Sequence, residues 1–509
     1  MKPVHLPESM KDIDKKTIEG LGVESKCLME MAGYSIYKEI LSEKGNVDSE
    51  NIAIFCGTGN NGGDGFVVAR WLSFRKPKDL NIYVMGNEEK FTQDARYNYE
   101  LAKKLGIKIL FLDEELGFDY LPFDDFTIII DALLGTGVKG SLRSSFCLLL
   151  GQINNTNAWK IAVDMPTGIN GEEGAVSDAV FNADMTVTMG ALKIPLILPP
   201  AREYAGKIKI ADIGFPEKFL KDTPFSLFES DDVAIPKRSP QAHKYSVGKI
   251  AIFAGSSTYS GAAVLTASAA LQSGCGMVRL FVPDCIESIC KSFNPSLLVH
   301  GLHSTNGTFD GKSISDIELE HYDSIIAGPG LTVSTETEYF LNDVLSLASC
   351  PLVIDADALN LVAASNDLRE LLKKKDYKRL LTPHRGEFRK LLAKDEISII
   401  RDIQDLSSEL DAIILLKGMP TMLANKDGKI IFTEAGNQGM ATAGSGDVLA
   451  GLLGSFIAQF GFSEKVIAES IYIHGHAGNM AASELGMLGI TSSDILDFLS
   501  KSIKEIAGW

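Results

Sequence analysis

Apolar residues in the first forty positions fall at helical spacing: Met10, Ile13, Ile18 and Leu21, then Leu28, Met29, Ala32, Ile36 and Ile40. That period predicts two helices within residues 9 to 42, ahead of any strand. The pattern then changes to short, continuous apolar runs, at residues 51–56 (NIAIFC), 80–86 (LNIYVMG), 107–112, 126–131 (FTIIID) and 159–164 (WKIAVD). Runs this short and unbroken predict strands buried on both faces, with helices over 66–74 (FVVARWLSF) and around 91–105 between them. The alternation resumes after residue 243: strands are predicted in GKIAIFAGS, MVRLFVP, SIIAGPGL, PLVIDADALNLV, RLLTPHRGEF and AIILLKGMPTML, and helices in SGAAVLTASAALQSG and VLAGLLGSFIAQF. Strand and helix in alternation predict an α/β protein with doubly wound, largely parallel sheets.

Between the two alternating halves lie Pro216, Pro224, Pro236 and Pro240 and the acidic run Glu229-Ser230-Asp231-Asp232. These predict a linker over 216–235, between domains at 1–215 and 236–509. A chain of 509 residues is expected to hold two or three domains.

Composition narrows the partners. With 49 basic and 66 acidic residues the formal charge is −17, which argues against nucleic acid or an anionic membrane surface and for small-molecule ligands. No apolar run reaches the roughly 18 residues needed to span a bilayer, and the first residues lack a signal-peptide core, so a cytoplasmic protein is expected. The seven scattered cysteines form no CxxC pair and are expected as buried thiols. The sequence allows a homo-oligomer without specifying one.

The candidate chemistry sits where strands end. GTGNNGGDG (57–65) follows the first strand and opens a helix, the βα entry at which doubly wound sheets hold phosphates. Unlike a bare phosphate loop it carries the side-chain oxygens of Asn60, Asn61 and Asp64, suited to a cation or a sugar hydroxyl. Asp131 ends another strand ahead of a glycine turn at 135–140, and Asp164 a third, with Thr167 three residues on. In the second half, GNQGMATAGSGDVLAG (436–451) places the amides of Gly444, Ser445 and Gly446 at a helix start, followed by Asp447. Such a turn holds a phosphoryl group beside a carboxylate able to take a hydroxyl proton; the structural alternative is that Asp447 merely caps the helix. Lys417 offers a point charge to phosphate, while Asp355 and Asp357 read better as internal hydrogen-bonding groups than as a metal pair.

LMEMAG, GTGNNGGDG, DALLGTGVKG, AVDMPTGINGEEG and ADMTVTMGALK together resemble the NAD(P)H-hydrate epimerase domain, over roughly residues 1 to 215. The motifs after residue 236 resemble the ADP-dependent NAD(P)H-hydrate dehydratase, of ribokinase-like fold, and the two halves together resemble the bifunctional NAD(P)H-hydrate repair enzymes. The resemblance implies a Rossmann-like amino-terminal domain in which Asn60, Asn61, Gly62, Gly63 and Asp64, with Gly135, Thr136, Gly137, Val138, Lys139, Gly140 and Ser141, hold the hydrated nucleotide. It makes Asp164 catalytic and assigns K+ to Asn61, Asp131 and Thr167, oxygen donors that suit a hard ion. In the other domain it assigns the hydrate to Ala262, Gly330, His384 and the catalytic Asp447, and ADP, with Mg2+, to Lys417, Gly418, Met419, Pro420, Thr421, Gly444, Ser445 and Gly446. Departures from the family pattern are Thr167 for serine, Ile194 for the glycine after Lys193, Ser296 for glutamate and Ala443 for glycine.

The activity so implied is repair of NADH and NADPH hydrates. The first domain would interconvert the R and S epimers at C6, and the second would dehydrate the S epimer at the expense of ADP, giving AMP and phosphate. The alternatives are a ribokinase-like kinase acting on a vitamin or sugar hydroxyl beside an accessory nucleotide-binding domain, and a first half reduced to a scaffold. LLTPHRGEF and the amino-terminal motifs weigh against the kinase; retention of Asp164 and the three potassium-ligand positions weighs against the scaffold.

Overall fold

The apolar runs of the amino-terminal half pair as one seven-stranded parallel sheet. Its order is Lys207–Ala211, Met185–Met189, Trp159–Val163, Ile128–Ala132, Asn51–Cys56, Asp79–Met85 and Lys108–Leu112. The computed structural model describes residues 1–508 apart from 115–116, 136–139, 312–313, 315–316 and 374–377. Chain contacts divide it into two units, Pro3–Thr223 and Pro224–Trp509 with Met1–Lys2. In the first unit chain order runs outward both ways from Asn51–Cys56, the doubly wound arrangement. Helices Asn60–Ser73 and Ser25–Lys44 cover one face through Phe66, Val68, Ala69, Ile36 and Ile40, all buried.

The second unit carries a larger mixed sheet. Its strands lie in the order Phe225–Leu227, Ile430–Thr433, Thr421–Ala424, Ile413–Leu416, Arg379–Leu381, Leu352–Ile354, Ser324–Ala327, Lys249–Phe253, Met277–Pro283 and Leu298–Leu302. Only Thr421–Ala424 runs antiparallel to its neighbours in this set. Ser445–Phe460 is buried continuously from Val448 to Ile457, as an all-round apolar helix must be, and packs on Ser260–Gln272. Among the described residues no helix is long and apolar enough to cross a membrane.

Three local features differ from expectation. The stretch 9–42 is Pro7–Lys15, a π-helical turn at Lys16–Gly20 and Ser25–Lys44, preceded by a strand at Lys2–His5 too short to give a periodic signal. The segment expected to link the halves holds a helical turn, Glu217–Leu220, and the strand Phe225–Leu227, paired with Ile430–Phe432. The thiols are not uniformly buried: Cys56, Cys275 and Cys290 are, whereas Cys27 and Cys285 are exposed, because one lies in the first turn of a surface helix and the other in the turn Asp284–Ile286.

Candidate active sites

The strand order of the first unit reverses between Asn51–Cys56 and Ile128–Ala132, and ligands of open α/β sheets sit beyond the carboxyl ends of strands at such a point. A cavity of about 840 Å3 lies there, lined by Asn60, Asn61, Asp64, Gly135, Ser141, Asp164 and Lys193 among others. Asp131, fully buried, accepts the Thr167 hydroxyl at 2.7 Å and the Leu133 amide at 3.1 Å on Oδ1, and the Thr167 amide at 2.7 Å on Oδ2. Burial pushes its carboxyl up to about 6, although these bonds pull the other way. A Cβ at Gly135 would lie 3.2 Å from Asn61 Oδ1, which presses the Asn61 amide against the turn following Asp131. Among the described residues Asn61 Nδ2 is buried with no hydrogen-bond partner.

Asp164 sits at φ +68°, a left-handed conformation that costs a non-glycine residue energy and is characteristic of functional positions. Its Oδ1 accepts Lys193 Nζ at 2.6 Å, the Met189 amide at 3.1 Å and the Thr188 hydroxyl at 3.4 Å. Burial pushes Asp64 well above the usual carboxylate range, reinforced by the charges of Asp164 and Asp14 and opposed by Lys193.

In the second unit three neighbouring parallel strands end on Asp355, on the Thr382 to His384 stretch and on Lys417. Lys417 Nζ pairs with Asp355 Oδ1 at 2.7 Å, and the charges of Glu387 and Asp447 add to the field that holds the ammonium protonated against its burial. Asp355 is thus an internal partner of Lys417. Asp447 stands in the first turn of Ser445–Phe460, whose N-cap is Gly444 at φ +89°, so Asp447 is not the cap. A Cβ at Gly444 would come within 2.7 Å of both Leu265 Cδ1 and Ser492 Oγ, so only glycine fits both the space and the angle. Burial, then the charge of Asp355, pushes Asp447 up to about 7 against the pull of Lys417.

Most residues singled out in the sequence gather at these two places. Asn60 accepts the Thr92 hydroxyl at 2.8 Å at the cavity wall, whereas Gly62 and Gly63 are packed inside the first turns of their helix. Gly140 accepts Asn170 Nδ2 at 3.0 Å through its carbonyl. Thr136, Gly137, Val138 and Lys139 lie outside the described residues. Ala262 and Gly330 meet, since a Cβ at Gly330 would lie 3.1 Å from that of Ala262. Gly418, Met419 and Pro420 form the turn before Thr421, whose hydroxyl donates to the Gly418 carbonyl at 2.9 Å. A Cβ at Gly446 would lie 3.4 Å from Lys417 Nζ, which brings the helix start to the lysine. His384 is the N-cap of Arg385–Leu392: its Nδ1 accepts the amides of Gly386 and Glu387 at 2.9 and 3.2 Å. That leaves Nε2, 3.5 Å from Glu387 Oε1, as the nitrogen not engaged by the helix start.

Two residues escaped the sequence reading. Lys193 is almost fully buried in the first site, although its motif, ADMTVTMGALK, ends on it. His474, buried on Glu464–Leu485, is lowered to about 4 by burial, partly offset by a bond to the Ser445 backbone, which makes it a neutral imidazole beside the turn that opens Ser445–Phe460. A lone histidine in an apolar helix carries no signal by itself.

Residues 25–194 match the family model described as the YjeF-related protein N-terminus, and residues 250–501 the model described as NAD(P)H-hydrate dehydratase. The chain is 34% identical to a bifunctional NAD(P)H-hydrate repair enzyme of Thermofilum pendens over 518 aligned positions, 99% of this chain and 97% of the relative. It is 33% identical to the protein of the same name from Moorella thermoacetica, over 98% and 96% of the two chains. Among solved structures, a ribokinase-like superfamily protein from Enterococcus faecalis superposes with a TM-score of 0.50 at 24% identity, over 56% of this chain and 97% of that one, a likeness of fold.

Proposed function

The chain belongs to the family of bifunctional NAD(P)H-hydrate repair enzymes, and from that membership we propose how each of its two sites works. It is an epimerase joined to an ADP-dependent dehydratase, returning hydrated NADH and NADPH to the reduced coenzyme. We assign epimerisation to residues 1–215 and dehydration to 236–509, with 216–235 between them.

In the dehydratase site Asp447 takes the C6 hydroxyl proton of the S hydrate while that oxygen attacks the β-phosphorus of ADP, and AMP leaves. The amides of Gly444 to Gly446 and the Lys417 ammonium stabilise the charge on the transferring group. Phosphate is then expelled from C6 by the ring nitrogen's lone pair, and loss of a C5 proton restores the dihydronicotinamide. Ala262, Gly330 and His384 orient the hydrate, and Gly418 to Thr421 flank the nucleotide, whose phosphates bring Mg2+ with them. One observation carries this reading: a carboxylate lifted to about 7 in the first turn of a helix, beside a lysine, is a base poised for neutral pH where a phosphoryl group binds.

In the epimerase site Asp164 acts at C6 of the hydrate. The donor set of Asn61, Asp131 and Thr167 fits K+: amide, carboxylate and hydroxyl oxygens cluster where Asp131 is buried. Bound there, K+ would supply positive charge that holds the glycine turn against the substrate. Among the described residues no group of three or more His, Cys, Asp or Glu is placed to hold a metal ion.

Incubation of the protein with mixed hydrate epimers and ADP tests the function. Absorbance of the dihydronicotinamide should return with one AMP and one phosphate per coenzyme; a phosphorylated product that never yields the coenzyme would point to a kinase instead.

A further inference from the structure

Interconverting the C6 epimers of a hemiaminal requires a base for the hydroxyl and an acid for the ring nitrogen. Asp164 alone supplies one of them. An ammonium has three protons to give, and those of Lys193 face three acceptors: Asp164 Oδ1 at 2.6 Å, Thr188 Oγ1 at 2.8 Å and the Met189 carbonyl at 3.3 Å. None is left for a substrate. The Met189 amide and Thr188 hydroxyl join the lysine on the same carboxylate oxygen, whereas Oδ2 has no hydrogen-bond partner among the described residues. One oxygen is locked and the other is free. Asp64 lines the same cavity and is its opposite, with no side-chain hydrogen bond among the described residues and no cation paired to it.

We propose that Lys193 is the positioning residue that makes Asp164 a one-sided base, and that Asp64 is a second catalytic residue, the proton donor that works with it. This rests on the epimerase reading of the cavity. Asp164 Oδ2 takes the C6 hydroxyl proton, the C6–N1 bond breaks as the C6 carbonyl forms, and Asp64 delivers its proton to N1. The opened aldehyde turns about C5–C6, and N1 adds to its other face. N1 then returns its proton to Asp64 and Asp164 returns its own to the oxygen. Nothing is oxidised or reduced, and both carboxyls end as they began. The high proton affinity of Asp64, set by burial and by the charges of Asp164 and Asp14 over that of Lys193, agrees with the donor role. The other charged groups lining the cavity are Lys11, Asp94 and Arg143.

The test follows epimerisation of the pure R hydrate between pH 5 and 9 by the wild type and by Lys193→Met, Lys193→Arg and Asp64→Asn, with ADP-dependent turnover of the S hydrate as the control on the same chains. Lys193→Met should lower kcat by about 10- to 1,000-fold at pH 7 with KM little changed, and move the low-pH limb of the profile upward by about 1 to 3 units, the worth of a nearby cation to a carboxylate. Lys193→Arg should return the limb toward the wild type. Asp64→Asn should lower kcat by about 100- to 10,000-fold and flatten the high-pH limb. A Lys193→Met profile with its limb unmoved, or Asp64→Asn within threefold of wild type, overturns the proposal. Should Lys193→Met fail to fold, the Asp64→Asn profile decides alone. A wild type that repairs S hydrate but never converts R strikes the epimerase reading itself.

Discussion

Replacing Asp447 by asparagine keeps the size and polar end of the side chain and removes the base. Because Gly444 is the N-cap of Ser445–Phe460, no capping bond is lost. The rate of ADP-dependent recovery of NADH from the S hydrate should fall by about 100- to 10,000-fold, with ADP affinity retained. In the wild type the ionised carboxylate is the active form, so with the group at about 7 the rate should rise through neutrality, to about one-tenth of its plateau one unit below. Stability should move the other way. A carboxyl held at about 7 in the folded chain against about 3.9 in the unfolded one keeps its proton on folding across that window, so its ionisation opposes the fold progressively from about pH 4 to pH 7. Three units correspond to at most about 4 kcal/mol at pH 8, and nothing below pH 4. The asparagine variant should therefore melt higher than the wild type at pH 8 and equally at pH 4, while being nearly inactive at both. A near-normal rate, or a melting temperature that drops at pH 8, refutes the reasoning.

Epimerisation should depend on K+ and not be restored by Mg2+, which demands a compact octahedral shell and keeps its waters; equal activity in potassium-free buffer removes Asn61, Asp131 and Thr167 from a cation site. Lys417→Met strands Asp355, 2% exposed at its side chain, as an uncompensated buried charge. That should cost about 3 to 5 kcal/mol in chemical denaturation and weaken ADP binding; a variant with unchanged stability and ADP affinity would show the pair to be idle.

The strands and glycine turns were legible because each carries its own local signal: a short apolar run, then glycine, then helical spacing. NIAIFC is a strand over the expected residues, and Asp131, Asp164 and Lys417 stand at or just beyond strand ends as read. What could not be read is which groups meet. Lys193 follows an apolar stretch and looks like any surface lysine until the short pairing of Leu192–Lys193 with Val4–His5 turns it inward. The same strand, Lys2–His5, has too few residues to show a period. His384 sits in a motif that suggested ligand contact, yet its Nδ1 is committed to a helix start, a role set by the backbone at Gly386 and Glu387. In the sequence Asp447 reads as a base with a helix cap as the alternative, and the conformation of Gly444, the actual N-cap, removes the cap.

The central claim is that two sites in one chain act in series, and Asp164→Ala tests it most directly. Given an equal mixture of R and S hydrates with ADP and K+, the wild type should recover all of the coenzyme. The variant should recover the S half at the wild-type rate and then stall at the slow, uncatalysed pace of epimerisation. Full recovery by Asp164→Ala at the wild-type rate, or loss of the S half along with the R, would contradict the account.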